Sequence, residues 1–334
     1  MIIRLFFSAI FAALAFGIYL NLDNFIYKEK IEPNIDLELR EKASKEYIEA
    51  QIREALANNR VEEAKEFIEL GRSLNYTLDK NLTTAVENQS NSFQKRFNDL
   101  KDFATGFIMG EAKNGYSLAG SITSDFTLVG DIRDLYKEGG KYLNNEEYDK
   151  FILTLSIIGV GLSVTTITSL GASAPLKVGA SVLKIAKRSK FLTKRFSRVL
   201  IIKLNRSVDL RILKRVDISS FNSIRRNSKA FINSINLAPI KPILKDVNTL
   251  YKQSSLMGSL RVLKYIDNEK ELARAVKLSN RYKKQTPVVI KVLGKSALRG
   301  AKLVAKKSRY FFWAIGAIIT FSLFSLYFLI RLFW

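Results

Sequence analysis

Three stretches of this 334-residue chain carry no charged side chain, and they limit its possible folds more than any other feature. They span 5–22, 151–176 and 310–330, with 18, 26 and 21 residues. At about 1.5 Å per residue, some 20 apolar residues in a helix cross a hydrocarbon layer of roughly 30 Å. Each stretch must therefore lie in a membrane or inside a protein core.

The first, LFFSAIFAALAFGIYLNL, follows Arg4 and precedes Asp23. It is long for the apolar part of a signal peptide and has no convincing small-x-small cleavage site before Asn21. An uncleaved anchor over 1–22 is expected, with a cleaved signal peptide as the rival. The last is rich in Phe, has Trp313 and Tyr327 near its ends, and is flanked by Lys306, Lys307, Arg309 and Arg331. Those are the marks of a membrane-crossing helix with interfacial anchors. The middle stretch is less uniform: Thr154, Ser156, Ser163, Thr165, Thr166, Thr168 and Ser169 interleave, and Gly159, Gly161, Gly171 and Pro175 weaken a helix. A single crossing over 151–170 is expected. A membrane hairpin turning at 171–174, with Pro175 opening the return helix, and a buried core helix are the alternatives.

Charge divides around the middle stretch. Residues 21–150 hold 18 Lys and Arg against 25 Asp and Glu, and residues 177–309 hold 34 against 6. With three crossings, the positive-inside tendency puts an acidic helical domain, 23–123, in the periplasm and a basic helical region, 191–309, in the cytoplasm. The basic excess implies an anionic partner, either lipid headgroups or an acidic protein. Nucleic acid has charge alone in its favour, since neither aromatic platforms nor a reading motif accompany it.

The chain contains no Cys and no His. That excludes disulfides, thiolate nucleophiles, sulfur-held zinc, and the commonest general base and metal ligand. Asp125, Asp131, Asp134 and Glu138 are the one acidic group that could hold a hard metal or act as an acid/base pair. Their spacing fits helix capping better. Asp131 would be the N-cap and Asp134 the N3 residue of a helix closed by Gly139-Gly140. Asn145 would cap the next helix, whose acidic first turn complements its dipole. No catalytic residue, metal or cofactor is expected, and the chain reads as non-enzymatic.

Elsewhere the apolar spacing predicts a helical hairpin over 35–77 and a polar, weakly periodic helix over 79–103. Gly106 and Gly110 have the small-xxx-small spacing of close helix contacts. After Pro175, the sequence PLKVGASVLKIAKRSKFLTKRFSRVLIIKL reads as a basic amphipathic helix lying in the membrane interface. There Lys177, Lys184, Lys187, Arg188 and Lys190 would meet anionic headgroups, as would Lys306, Lys307 and Arg309 beside the last helix. Each nearby basic side chain is worth about 1 kcal/mol in such a setting. Asn268 is placed to cap a helix beginning at Glu269.

The segment SDFTLVGDIRDLYKEGGKYLNNEEYDKFILTLSIIGVG followed by APLKVGASVLKIAKR resembles the pre-toxin region of bacterial polymorphic toxins. Similar arrangements occur in uncharacterised proteobacterial membrane proteins. The resemblance covers 124–190 and lacks that family's Thr-Gly element after Gly140. It implies a conditionally inserting hydrophobic helix with a Lys-rich return, and no toxin chemistry. The expected architecture is thus a mainly α, multi-pass bacterial inner-membrane protein with about three crossings. Its parts would be 1–22, 23–123, 124–190, 191–309 and a final crossing in 310–334.

Overall fold

A computed structural model of the chain describes residues 2–31, 34–91, 128–168, 173–300 and 302–331. The protein is mainly helical and divides into two compact units, one of Met1–Pro33 with Gly300–Trp334 and the other of Asn34–Arg299.

The larger unit begins with α2 (Ile35–Lys42), α3 (Lys45–Ala57) and α4 (Val61–Ser73). Ser44 caps α3, its Oγ accepting from Tyr47 N at 3.2 Å. Asn59 makes the α3–α4 turn with φ 54°, a conformation asparagine tolerates well. Ile48, Ile52 and Ala55 of α3 and Ala64, Phe67 and Ile68 of α4 are buried, so the expected hairpin is formed by its apolar faces. A further helix, α5, covers 80–91. The rest of the polar helix expected over 79–103, together with Gly106, Gly110 and Asp125, lies outside the described residues.

The middle of the unit is α6 (Leu128–Leu143), α7 (Lys150–Thr168) and α8 (Ala174–Arg188). Every residue of α7 from Phe151 to Ser163 is buried. Its neighbours are α6, α8, α9 (Lys194–Ser207) and α11 (Ser228–Asn233), α10 being Phe221–Arg226. A helix apolar on all sides suits a protein core as well as a bilayer. The crossing expected over 151–170 is therefore corrected: this stretch is the core helix of the larger unit. Ser173 Oγ bonds Leu162 O at 3.3 Å, and Lys184 Nζ bonds Ser156 Oγ at 3.4 Å, so α7 and α8 run antiparallel. Pro175 does open the return helix. Of the turn expected at 171–174, the first two residues lie outside the described residues.

Helix α8 is packed between α7 and α12 (Lys241–Leu263). The close approach passes through Gly179, where a Cβ would stand 2.1 Å from Leu244 O. Helix α12 is broken at Ser254–Ser255, with Ser255 at φ 67°. Ser255 Oγ then accepts from Gly258 N at 3.2 Å and restarts the helix. Helices α13 (Glu269–Tyr282) and α14 (Thr286–Leu293) complete the unit, with Asn268 capping α13 as expected. Helix α14 packs on α2 and α4.

That last contact overturns the expected two-sided topology. Residues 34–91 from the acidic half and 191–299 from the basic half share one hydrophobic core. They cannot stand on opposite sides of a membrane.

In the smaller unit, α1 (Ile2–Leu20) leads through a short 3-10 turn into β1 (Ile26–Ile31), and β2 (Lys302–Lys307) leads into α15 (Arg309–Ile330). The strands pair antiparallel, Ile26 with Lys307 through Ile31 with Lys302. The helices pack side by side: Phe7 stacks on Phe328 at 5.7 Å and Phe11 on Phe324 at 5.4 Å. Small residues, Ser8, Ala15, Ala314 and Ser325, are buried between them, and Ser8 and Ser325 hydroxyls lie 3.1 Å apart. The outward faces stay exposed, Ile2 at 81% and Trp313 at 77%. Among the described residues two helices, not three, are long and apolar enough to cross a membrane.

Candidate functional site

The residues singled out from the sequence fall into two classes, a closed charge network and an open basic surface. The network lies where α6, α7 and α8 meet. Asp131 and Asp134, three apart on α6, share one face of that helix, and Lys184 and Arg188, four apart on α8, share the face opposite. Lys184 Nζ donates to Asp131 Oδ1 at 2.9 Å and approaches Asp134 Oδ2 at 2.7 Å. Arg188 Nη2 reaches Asp134 Oδ1 at 2.6 Å, and Arg133 Nη2 reaches it at 3.0 Å. Lys184 is 0% exposed. Between the helices, α7 offers Ser156 as a further acceptor and Gly159 as space, since a Cβ there would meet Asp131 Cγ at 2.3 Å.

This corrects two expectations. Asp131 and Asp134 are not caps, because α6 begins at Leu128 and their carboxylates turn into the core. Asn145 is not the cap of α7 either; it sits in the preceding turn with φ 59°. Asp149 is that cap, its Oδ1 accepting from Phe151 N at 2.9 Å and Ile152 N at 3.1 Å. Burial pushes Asp131 up to about 6 against the pull of Lys184, and its Oδ2 has no hydrogen-bond partner among the described residues. Burial also works against Asp134, but Lys184 and Arg188 outweigh it and hold that carboxyl below its ordinary value.

A second buried cluster joins the acidic hairpin to the basic helices. Glu63 on α4 meets Lys291 of α14 at 2.7 Å and Arg261 of α12 at 3.4 Å. Glu66 meets Arg261 at 2.5 Å, while its Oε2 is buried without a hydrogen-bond partner among the described residues. Burial, with repulsion from Glu62 and Glu63, lifts Glu66 to about 8 despite Arg261. Among the described residues no group of three or more carboxylates is arranged to hold a metal ion. The carboxylates of both clusters are buried, and each cluster ties helices together across the core.

The interfacial face expected on α8 is also corrected. Lys184 is in the core, Arg188 is engaged with Asp134, Lys187 lies 5.8 Å from the Phe151 ring centroid, and Lys177 is half-buried. Burial lowers the Lys177 pKa, Asp131 offsetting part of the effect. Lys190, Lys306 and Arg309 are exposed, and Lys307 pairs through its backbone in β2. The exposed basic face belongs instead to the next helix. On α9, Phe196, Leu200, Leu204 and Ser207 are buried, while Lys194, Arg195, Arg198, Ile202 and Arg206 are exposed. Lys194, Arg198 and Arg206 have no ion-pair partner among the described residues, and Ile202 is 53% exposed. No protein-family model, curated protein sequence or solved structure matches the chain.

Two outcomes follow. Lys184→Met leaves Asp131 buried without its cation and should cost about 3–5 kcal/mol in denaturant unfolding. Adding Asp131→Asn should restore part of that loss, because Asp134 keeps Arg188. An equal or larger loss in the double variant would refute the network as the source.

The proton on Glu66 is held in the folded chain up to about pH 8, whereas the unfolded carboxyl releases it near its ordinary value of 4.5. The stability it contributes is complete below that lower value and falls as pH rises through the higher one. The loss of wild-type stability between pH 5 and pH 8 should therefore shrink in Glu66→Gln, by an amount on the order of a few kcal/mol. Equal pH slopes for the two proteins would contradict this.

Proposed function

We propose that the chain is a non-enzymatic bacterial inner-membrane protein, anchored by α1 and α15, whose basic helical unit engages anionic lipid. The observation that carries the proposal is the helix pair of the smaller unit. Two helices of 19 and 22 residues meet through small residues and turn Ile, Leu, Phe and Trp outward along their length. Exposed apolar surface on that scale is foreign to water-soluble proteins, and lipid is the solvent that suits it.

Two crossings put both chain ends on one side and the larger unit on the other. Lys28, Lys30, Lys302, Lys306, Lys307 and Arg309 flank the helices at the strand end, against Arg4 and Arg331 at the other. The positive-inside tendency then favours a cytoplasmic larger unit, where the inner leaflet is anionic. That unit carries 46 Lys and Arg against 28 Asp and Glu. On α9, unpaired Lys194, Arg198 and Arg206 surround the exposed Ile202, a combination suited to headgroups with a shallow apolar contact. A toxin-type inserting module, which the resemblance of 124–190 would suggest, requires α7 to leave the core. Its Ser156 contact to Lys184 and the seat of Asp131 on Gly159 weigh against that.

The native chain has no Cys, so single cysteines report sidedness cleanly. In spheroplasts, a membrane-impermeant maleimide should label Ile2→Cys and should reach Lys252→Cys only after lysis. The reverse pattern would overturn the proposed orientation.

Lipid engagement is tested with the full chain held in neutral nanodiscs and offered vesicles. Phosphatidylglycerol vesicles should be captured at low salt and phosphatidylcholine vesicles should not. Lys194→Glu with Arg198→Glu should reduce capture severalfold. Capture that ignores both salt and the charge reversal would refute a charge-driven lipid contact.

A further inference from the structure

A cleft of about 580 Å³ opens where the α6–α7 turn, the first turns of α7 and the end of α9 converge. None of its lining residues belongs to either cluster described above. Its lining includes Tyr142, Tyr148, Lys150, Arg206, Asp209 and Arg211. Arg211 grips Asp209 through two nitrogens, Nε to Oδ2 at 3.0 Å and Nη2 to Oδ2 at 2.8 Å, and so cancels its charge. Lys150 and Arg206 have no ion-pair partner among the described residues and are exposed. The lining therefore holds two uncompensated cations.

The walls are held by backbone. Val208 bridges Ile235, and Asn236 N donates to Ser207 O at 2.8 Å. Tyr142 and Tyr148 stand edge to face with centroids 5.3 Å apart, which fixes a half-buried aromatic wall beside the cations. Thr154 and Ser234 also line the cleft, their hydroxyls donating to Lys150 O at 2.8 Å and Phe231 O at 2.7 Å. Two cations on separate helices match the several oxygens of a phosphate group. The volume is far larger than one phosphate needs and leaves room for a polar group against the tyrosines.

We propose that this cleft binds a phosphate ester, with Lys150 and Arg206 holding the phosphate and Tyr142 and Tyr148 bounding the group it carries. The chemistry is common to a free phosphorylated metabolite and to the headgroup of a phospholipid. The cleft shares Arg206 with the lipid contact proposed for α9, whereas Lys150 lies outside that face, so Lys150→Ala separates the two.

The test uses the full chain in neutral nanodiscs, titrated calorimetrically with glycerol 3-phosphate and, separately, with short-chain phosphatidylglycerol. Saturable binding of glycerol 3-phosphate supports the site and assigns a soluble ligand. Saturable binding of the lipid alone supports it and assigns a headgroup. In either case Lys150→Ala and Arg206→Ala should each weaken binding at least tenfold, while Lys190→Ala, which removes an exposed cation elsewhere, should leave it unchanged. Unfolding curves confirm that the variants fold, and Lys150→Arg should retain binding. Absence of saturable binding by either ligand, or equal weakening in Lys190→Ala, would overturn the proposal.

Discussion

The contact of Lys184 with Asp131 and Asp134 is the interaction on which the core of the larger unit depends. Each of these charges is too deeply buried to be stable alone, so the three must be brought together or the fold must open. They stand on α6 and α8, and both contacts pass beside α7. That arrangement supplies what the apolar surface of α7 lacks. A helix apolar on all sides gains the same burial at any rotation about its axis. Ser156 facing Lys184, and Gly159 receiving Asp131, select one rotation. Specificity here comes from polar geometry, and hydrophobic burial supplies the bulk of the driving force.

The same contact marks the limit of what the sequence disclosed. The α2–α4 helices, the cap at Asn268 and the helix opened by Pro175 follow from local rules, and the structure contains them. The mainly helical class was equally legible. The destination of 151–176 was not, because lack of charge reports that a segment leaves water without saying what replaces it. Gly159 looked like a helix-weakening residue and is a socket for a carboxylate. Asp131 and Asp134 looked like caps because aspartate near a helix start usually is one. Nothing local separates a cap from a buried counter-ion. The separating signal was long-range: two aspartates three apart, and Lys184 with Arg188 four apart, on either side of one uncharged helix.

A second lesson concerns net charge. The acidic and basic halves looked like compartments and are partners. Glu63 and Glu66 accept Arg261 and Lys291 from helices about two hundred residues later in sequence, and Asp36 bonds Arg281 and Tyr282. Part of the contrast between halves is thus consumed inside the fold. What remains for the surface is the excess, as on α9, where Lys194, Arg198 and Arg206 find no acid among the described residues while Arg195 and Lys203 pair with Asp267 and Glu269. The informative quantity is the set of basic side chains left unpaired after folding, and Lys184 shows how far the count along the chain can mislead.

Pairing of the chain's two ends sets a further constraint. Because β1 pairs with β2 and α1 with α15, the 266 residues from Asn34 to Arg299 leave and return through one antiparallel ladder. Both helices are then needed to complete either one: each covers the other's small residues, and each strand satisfies the other's backbone. A chain cut in the larger unit could keep this anchor, whereas loss of either terminal helix would expose Ser8 or Ser325 and unpair a strand. If the two helices of membrane length among the described residues both cross, the acidic hairpin and the basic helices travel together. The ion pairs between α4 and the helices α12 and α14 require exactly that shared side, since an ion pair cannot form across a bilayer.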